Sequence, residues 1–333
     1  MSGVGDYMPW DYCAAICAYC EFNVYRARDR DPAPLLAAII ADLEGHAARF
    51  DLPRAQTVFF GGGTPSRLTG RDLGRLLEAV DRVVGLAPGA EVTLEANPED
   101  RSRFADHAAA GVNRFSLGVQ ALNDADLKAL GRFHSAEDAK AAVEAAAATG
   151  QRVSLDLIYA RQGQGLGAWE AELRQALIWP VEHLSLYQLT VEGDTAFARA
   201  QARGRLVLPE AGAAGDFYEA TLALTAEAGF PAYEVSNHAR GRAAWSAHNL
   251  LYWPGGTRPG LGPGAHGRLC TDQGFEASEA QARPEAYIKA VADGGVGWAS
   301  NATLTAEEAG DERLIMGVRT GLGAPLEAVE GRW

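Results

Sequence analysis

Three of the four cysteines, Cys13, Cys17 and Cys20, fall within eight consecutive residues in the spacing Cys-x3-Cys-x2-Cys. Nothing else in the chain constrains the fold as tightly. One short loop must present three thiols together, and a rigid frame must hold that loop in place. Disulfide scaffolds use cysteines quite differently, so the crowding points to a reducing compartment and to metal. Three thiolates can ligate three irons of a cubane 4Fe–4S cluster and leave the fourth iron open to a ligand. The alternatives are a zinc site completed by a histidine and unrelated buried cysteines. Zinc favours paired Cys-x2-Cys elements, and no second pair follows. Cys270 lies far away in the sequence.

The frame can be read from periodicity. Gln56–Phe60, Glu91–Ala96, Arg114–Val119, Arg152–Tyr159 and His183–Leu189 read as buried strands, with a weaker one before Cys13. Helical patterns lie between them. Leu35, Leu36, Ile39, Ile40 and Leu43 repeat at helical spacing, Thr69 is placed to cap a second helix, and Asp138–Ala148 is a third. Alternating strands and helices predict parallel βα units. Six such units give an α/β fold, a partial (β/α)6 TIM-like barrel over residues 1–195, with its site at the C-terminal strand ends. From residue 196 to 333 the rhythm changes to a smaller α+β region. In it Pro209–Gly229 reads as a helix and Tyr233–Ser236 as a short strand.

Net charge is −13, and no basic patch is evident, which argues against a nucleic-acid partner. No run approaches the ~18 apolar residues of a membrane span. Met1–Trp10 lacks the regions of a signal peptide, so a cytoplasmic location is expected.

Polar motifs cluster at the predicted strand ends. Phe60 runs into Gly61-Gly62-Gly63-Thr64-Pro65, where glycines let backbone approach a ligand. Glu95-Ala96-Asn97-Pro98, the stretch ending in Gln120, Leu130-Gly131-Arg132-Phe133-His134 and Asp156-Leu157-Ile158-Tyr159 follow at later ends. A carboxylate buried there is costly unless it meets a partner or a ligand. Read singly, each motif is equally a helix cap or a barrel-layer hydrogen bond.

Taken together, these motifs resemble the radical S-adenosylmethionine (SAM) superfamily. Within it they resemble oxygen-independent coproporphyrinogen III oxidase (HemN) and its relative HemW, over about Tyr7 to Arg319. The oxidase carries a further cysteine two residues after its last ligand; here Phe22 stands there. His248-Asn249-Leu250-Leu251-Tyr252-Trp253 matches the HNxxYW signature of HemW. The resemblance implies a 4Fe–4S cluster on Cys13, Cys17 and Cys20, and SAM contacts from Tyr7, Tyr19, Gly62, Gly63, Thr64, Glu95, Gln120, Arg132 and Asp156. It further implies heme contacts from His248, Tyr252 and Trp253. The implied function is a heme chaperone that passes heme to a respiratory acceptor protein, served by a reductant protein. It also allows a homodimer, and a peripheral membrane contact through the acceptor. The alternatives are the oxidase itself, an enzyme of porphyrin biosynthesis, and a degenerate member without cofactor activity.

The chain departs from the family at several points. Pro9 and Asp11 replace a histidine and a proline of the family's Tyr-x-His-Trp-Pro-Phe-Cys opening. Pro9 removes a backbone donor from the expected first strand, and Asp11 is expected to set a negative charge beside an anionic cluster. The family's Gly-Leu-Pro-Gly-Gln after the fifth strand is here Ala160-Arg161-Gln162-Gly163-Gln164. Because the family continues for some tens of residues beyond Trp333, the C-terminal region reads as truncated.

Overall fold

The computed structural model describes residues 4–27, 30–271 and 274–324. In chain order the strands are β1 (Val4–Trp10), β2 (Tyr12–Cys13), β3 (Tyr25–Arg26), β4 (Ala55–Gly62), β5 (Leu86–Ala96), β6 (Arg114–Gln120), β7 (Arg152–Tyr159), β8 (His183–Gln188), β9 (Asn237–Ala239), β10 (His266–Thr271), β11 (Gly274–Ala280) and β12 (Trp298–Thr303). The helices are α1 (Ala33–Ala47), α2 (Gly70–Val83), α3 (Phe104–Ala109), α4 (Asp124–Leu130), α5 (Ala136–Ala148), α6 (Leu166–Leu177), α7 (Ala196–Gln201), α8 (Ala211–Glu227), α9 (Ala247–Tyr252), α10 (Pro284–Gly294) and α11 (Ala306–Gly317).

The main sheet runs β1-β4-β5-β6-β7-β8-β9. Its first six strands are parallel and the seventh is antiparallel. Each parallel step is bridged by helix, as βα chemistry requires. Thr69 caps α2 by accepting from the Asp72 amide, and Ser135 with Asp138 forms a capping box on α5.

Pleating sorts the side chains onto two faces. Val58, Phe60, Val92, Leu94, Phe115, Leu117, Leu155 and Leu184 are buried in the main apolar core. Alternate positions carry polar groups, and register aligns them: Glu95 beside Ser116, Ser116 beside Ser154, and Ser154 beside His183. A parallel sheet covered on both faces is usually apolar on both; here one face encloses a polar lumen.

The strand before Cys13 is real and runs straight through Pro9, which pairs with Gly61. Pro9 is tolerated because the free side of β1 makes only isolated bridges, through Val4 to Thr257 and Tyr7 to Gly260. The expected strand at Tyr233–Ser236 lies instead at Asn237–Ala239. Residues 233–236 turn back on themselves, since the Glu234 carboxylate accepts from the Ser236 amide and the Asn237 side chain. Because β9 joins β8, the region expected to be separate after residue 196 is stitched into the main sheet.

The small antiparallel sheet β10-β11-β12 docks through α10 onto α1. Asp42 of α1 accepts from the Tyr287 hydroxyl at 2.7 Å and the Gly297 amide at 2.9 Å. Gly45 makes the crossing possible: a Cβ there would stand 1.7 Å from the Gly295 carbonyl oxygen.

Candidate metal and cofactor site

The cysteine loop follows β1 and is tied down at both ends. The Tyr25 amide donates to the Asp11 carbonyl and the Ala27 amide to the Cys13 carbonyl, which makes the short β2–β3 pairing. Its far side rests on α4, where the Ala18 amide donates to the Leu130 carbonyl. Gly131, at φ +79, lets the chain pass close to Cys17 and Ala18. Cys13 is buried, while Cys17 and Cys20 are half-buried.

The sulfurs have donors. The Thr64 hydroxyl lies 3.4 Å from Cys13 Sγ, and Arg132 Nη1 lies 3.4 Å from Cys17 Sγ. Burial pushes the Cys13 thiol up and the Cys20 thiol up to about 11. Among the described residues no three His, Cys, Asp or Glu side chains converge on one point that a single ion could occupy. A polynuclear cluster takes one thiolate per iron, so its ligands stand apart. The donor set fits a cluster with three ligated irons.

Asp11 does not act as the sequence suggested. It is 1% exposed and accepts from the Asn23 side-chain amide at 2.7 Å. Burial pushes its carboxyl up to about 8, so near neutrality its neutral form prevails.

All three cysteines line a cavity of about 460 Å³ at the C-terminal ends of the parallel strands. Tyr19, Gly62, Gly63, Thr64, Glu95, Gln120, Arg132 and Asp156 share its wall. The glycine run earns its place. Gly62 takes φ +94, and its amide donates to Glu95 Oε2 at 3.0 Å. A Cβ on Gly63 would meet the Trp10 carbonyl at 2.6 Å and Cys13 Sγ at 3.0 Å. Arg132 donates from Nη2 to Asn97 Oδ1 at 2.7 Å and to the Gly118 carbonyl at 2.9 Å. Its Nε is buried without a partner, a donor available to an anionic ligand.

Two buried carboxyls line the cavity on strands that flank β6, Glu95 on β5 and Asp156 on β7. Burial, then the Asp156 charge, pushes Glu95 up to about 8. Burial pushes Asp156 up to about 6 against the pull of the Ser185, Ser116 and Ser154 hydroxyls and of Arg114. They suit the hydroxyl and ammonium groups of a polar ligand, whose donors would offset that burial.

Sequence reading missed Ser116, Tyr187, Thr190 and Glu192 on the wall and the exposed rim residue Ile16; Phe22, singled out in the sequence, stands on the same rim. The signal was there for Ser116 and Tyr187: polar residues at every second position of otherwise apolar strands. Thr190 and Glu192 lie on a loop that no periodicity marks.

Other expected residues lie elsewhere. Tyr7 is outside the cavity wall, with its ring 6.0 Å from Phe59 and 6.3 Å from His248. His248 sits at the opposite, N-terminal end of the strands, 6% exposed, with Nδ1 2.9 Å from Thr57 Oγ1. Burial pushes its imidazole down to about 4. Glu91 ties it there by accepting from the Ala247 and His248 amides. Trp253 packs with Tyr233, Ala239 and Ala244. Tyr252 alone offers an open ring, 40% exposed, with the Arg258 guanidinium 4.1 Å from its centroid. The trio therefore forms no common surface, and ligation of heme by His248 requires α9 to lift from the sheet.

Comparison with known proteins agrees with this architecture. The radical SAM superfamily model matches residues 7–175. Radical S-adenosyl methionine domain-containing protein 1, mitochondrial, of Bos taurus is 41% identical over 95% of this chain and 73% of its own length. The heme chaperone HemW of Mycobacterium tuberculosis is 38% identical over 97% of this chain and 83% of its own.

The chain belongs to the HemW family of radical SAM proteins.

Membership implies a 4Fe–4S cluster and SAM, and the cavity just described fits both. HemW of Escherichia coli is 38% identical over 80% of this chain and 70% of its own length. The fold is that of HemN, the coproporphyrinogen III oxidase of Escherichia coli, with a TM-score of 0.82 at 20% identity over 100% of this chain and 79% of the other. No helix among the described residues is long and apolar enough to cross a membrane.

Proposed function

We propose that this chain is a heme chaperone built on a radical SAM frame. It binds heme and passes it to an acceptor protein. Cys13, Cys17 and Cys20 hold the cluster. Gly62, Gly63 and Thr64 take the amino-acid end of SAM, and Glu95, Gln120, Arg132 and Asp156 take its polar groups. When bound, the cluster and SAM supply one-electron chemistry; the protein's part is to orient SAM, keep water from it and neutralise its charges.

The observation that carries this reading is the 38% identity to HemW of Mycobacterium tuberculosis over 97% of this chain. Phe22 supports it: the ring stands 57% exposed at the cavity mouth, where the oxidase has a further cysteine. The likeness to the oxidase structure, at 20% identity, speaks for fold alone.

The test is anaerobic reconstitution with iron and sulfide, followed by heme titration with and without SAM. A cluster of about four irons, lost in Cys17→Ala, together with a stoichiometric Soret band, is the expected result. A full cluster without heme binding, but with 5′-deoxyadenosine formed from SAM and coproporphyrinogen III, would replace the reading with the oxidase. In a folded His248→Ala variant, loss of the Soret band assigns the axial ligand to His248 and demands an opening of α9. Retention of the band places the ligand elsewhere.

A further inference from the structure

Two non-glycine residues adopt positive φ among the described residues, Gln120 at +73 and Ala160 at +55. Gln120 is the last residue of β6 and Ala160 follows β7, and both strands end at the cavity. Gln120 is the centre of a γ-turn, because the Ala121 amide donates to the Val119 carbonyl at 3.0 Å. A γ-turn with a left-handed centre is rare and strained. Such strain persists only where the surroundings over-determine it.

One buried ion pair supplies that determination. Arg161 is 3% exposed and Glu172 8%, and they meet at 2.5 Å. Arg161 Nη1 donates to the Gln120 carbonyl at 3.3 Å and to the Ile158 carbonyl at 2.7 Å. Glu172 Oε1 accepts from the Leu122 amide at 2.6 Å. The peptide groups on both sides of Ala121 are thus held by the two halves of one pair. The same guanidinium grips the end of β7 two residues beyond Asp156. The left-handed Ala160 is what turns Arg161 back to reach them.

We infer that Arg161, paired with Glu172, is a positioning residue: it fixes the turn at Gln120 and so sets the side-chain amide of Gln120 in the cavity wall for SAM. This inference rests on the reading that SAM occupies the cavity. It accounts for Ala160-Arg161, where the family has Gly-Leu: the guanidinium fork ties the β6 and β7 turns together. The planar fork is what the geometry needs, since one side chain must donate to two carbonyls and to the carboxylates of Glu172 and Asp126 at once.

The experiment measures SAM affinity through the change SAM causes in the EPR spectrum of the reduced, reconstituted cluster. Arg161→Met with Glu172→Gln removes the pair without leaving a lone buried charge. With iron content equal to the parent, SAM affinity is expected to fall at least about tenfold. In a Gln120→Ala background the same double change should cost less than about twofold, because it acts through Gln120. Parental affinity in the double variant, or an equal loss in both backgrounds, would overturn the inference. If the double variant fails to load iron, Arg161→Lys, which keeps the charge and loses the fork, carries the same expectations. A parent that loads iron and shows no response to SAM instead sinks the SAM reading, and the inference with it.

Discussion

Ala160 sits at φ +55 and Glu95 is a carboxyl in a lumen, and each yields a measurement. Left-handed backbone costs a side-chain-bearing residue about 1–2 kcal/mol, partly offset by the flexibility a glycine adds to the unfolded chain. Ala160→Gly should therefore raise stability by up to about 1 kcal/mol, read as a higher urea midpoint. Glu95 is raised from 4.5 to about 8, so folding takes up a proton there. That contribution is complete below pH 4.5 and is lost as pH rises toward 8. Glu95→Gln keeps an acceptor for the Gly62 amide and cannot ionise. Its stability relative to the parent should grow with pH across that window, by at most about 1.4 kcal/mol per pH unit. A flat difference would mean that Glu95 is already ionised in the folded protein.

At the scale of elements, the crossing of α1 and α10 depends on Gly45 and on the acceptor Asp42. Gly45→Ala drives a methyl into the Gly295 carbonyl and should cost about 1–3 kcal/mol. Hydrogen exchange should show the loosening in α10 and β12 before the main sheet; uniform loosening would refute a local joint. Much of this scale was legible in the sequence. Cap residues such as Thr69, the apolar spacing of α1 and the β-branched strands announced six βα units because each is a local signal. The strand at Asn237–Ala239 was missed because it is made by pairing with β8, and three residues carry no periodicity of their own. The site was legible where a motif lies at a strand end, as with Gly62, Glu95 and Asp156. The sequence misled at Asp11, where burial overrides formal charge, and it held no sign that His248 lies at the end of the strands opposite the cysteines.

For the whole molecule, ligand binding and folding are linked. A ligand at about a hundred times its dissociation constant adds about 2.7 kcal/mol of stability. SAM added to the reconstituted protein should raise its melting temperature by several degrees, while Cys17→Ala, lacking the cluster, should show little rise. An equal rise in both would mean that SAM is held by the cavity wall without the cluster.

The placement of α9 has a kinetic consequence. Its buried His248 stoppers the lumen at the N-terminal strand ends, while the cavity opens at the other end beside Ile16 and Phe22. A vessel with one mouth is emptied in the reverse of the order in which it is filled. Whatever settles on the rim last must depart first, and while it stays the deeper occupant is locked in. Traffic through this protein would then run as a queue with a compulsory order, and dissociation of the inner ligand would slow as the outer one accumulates.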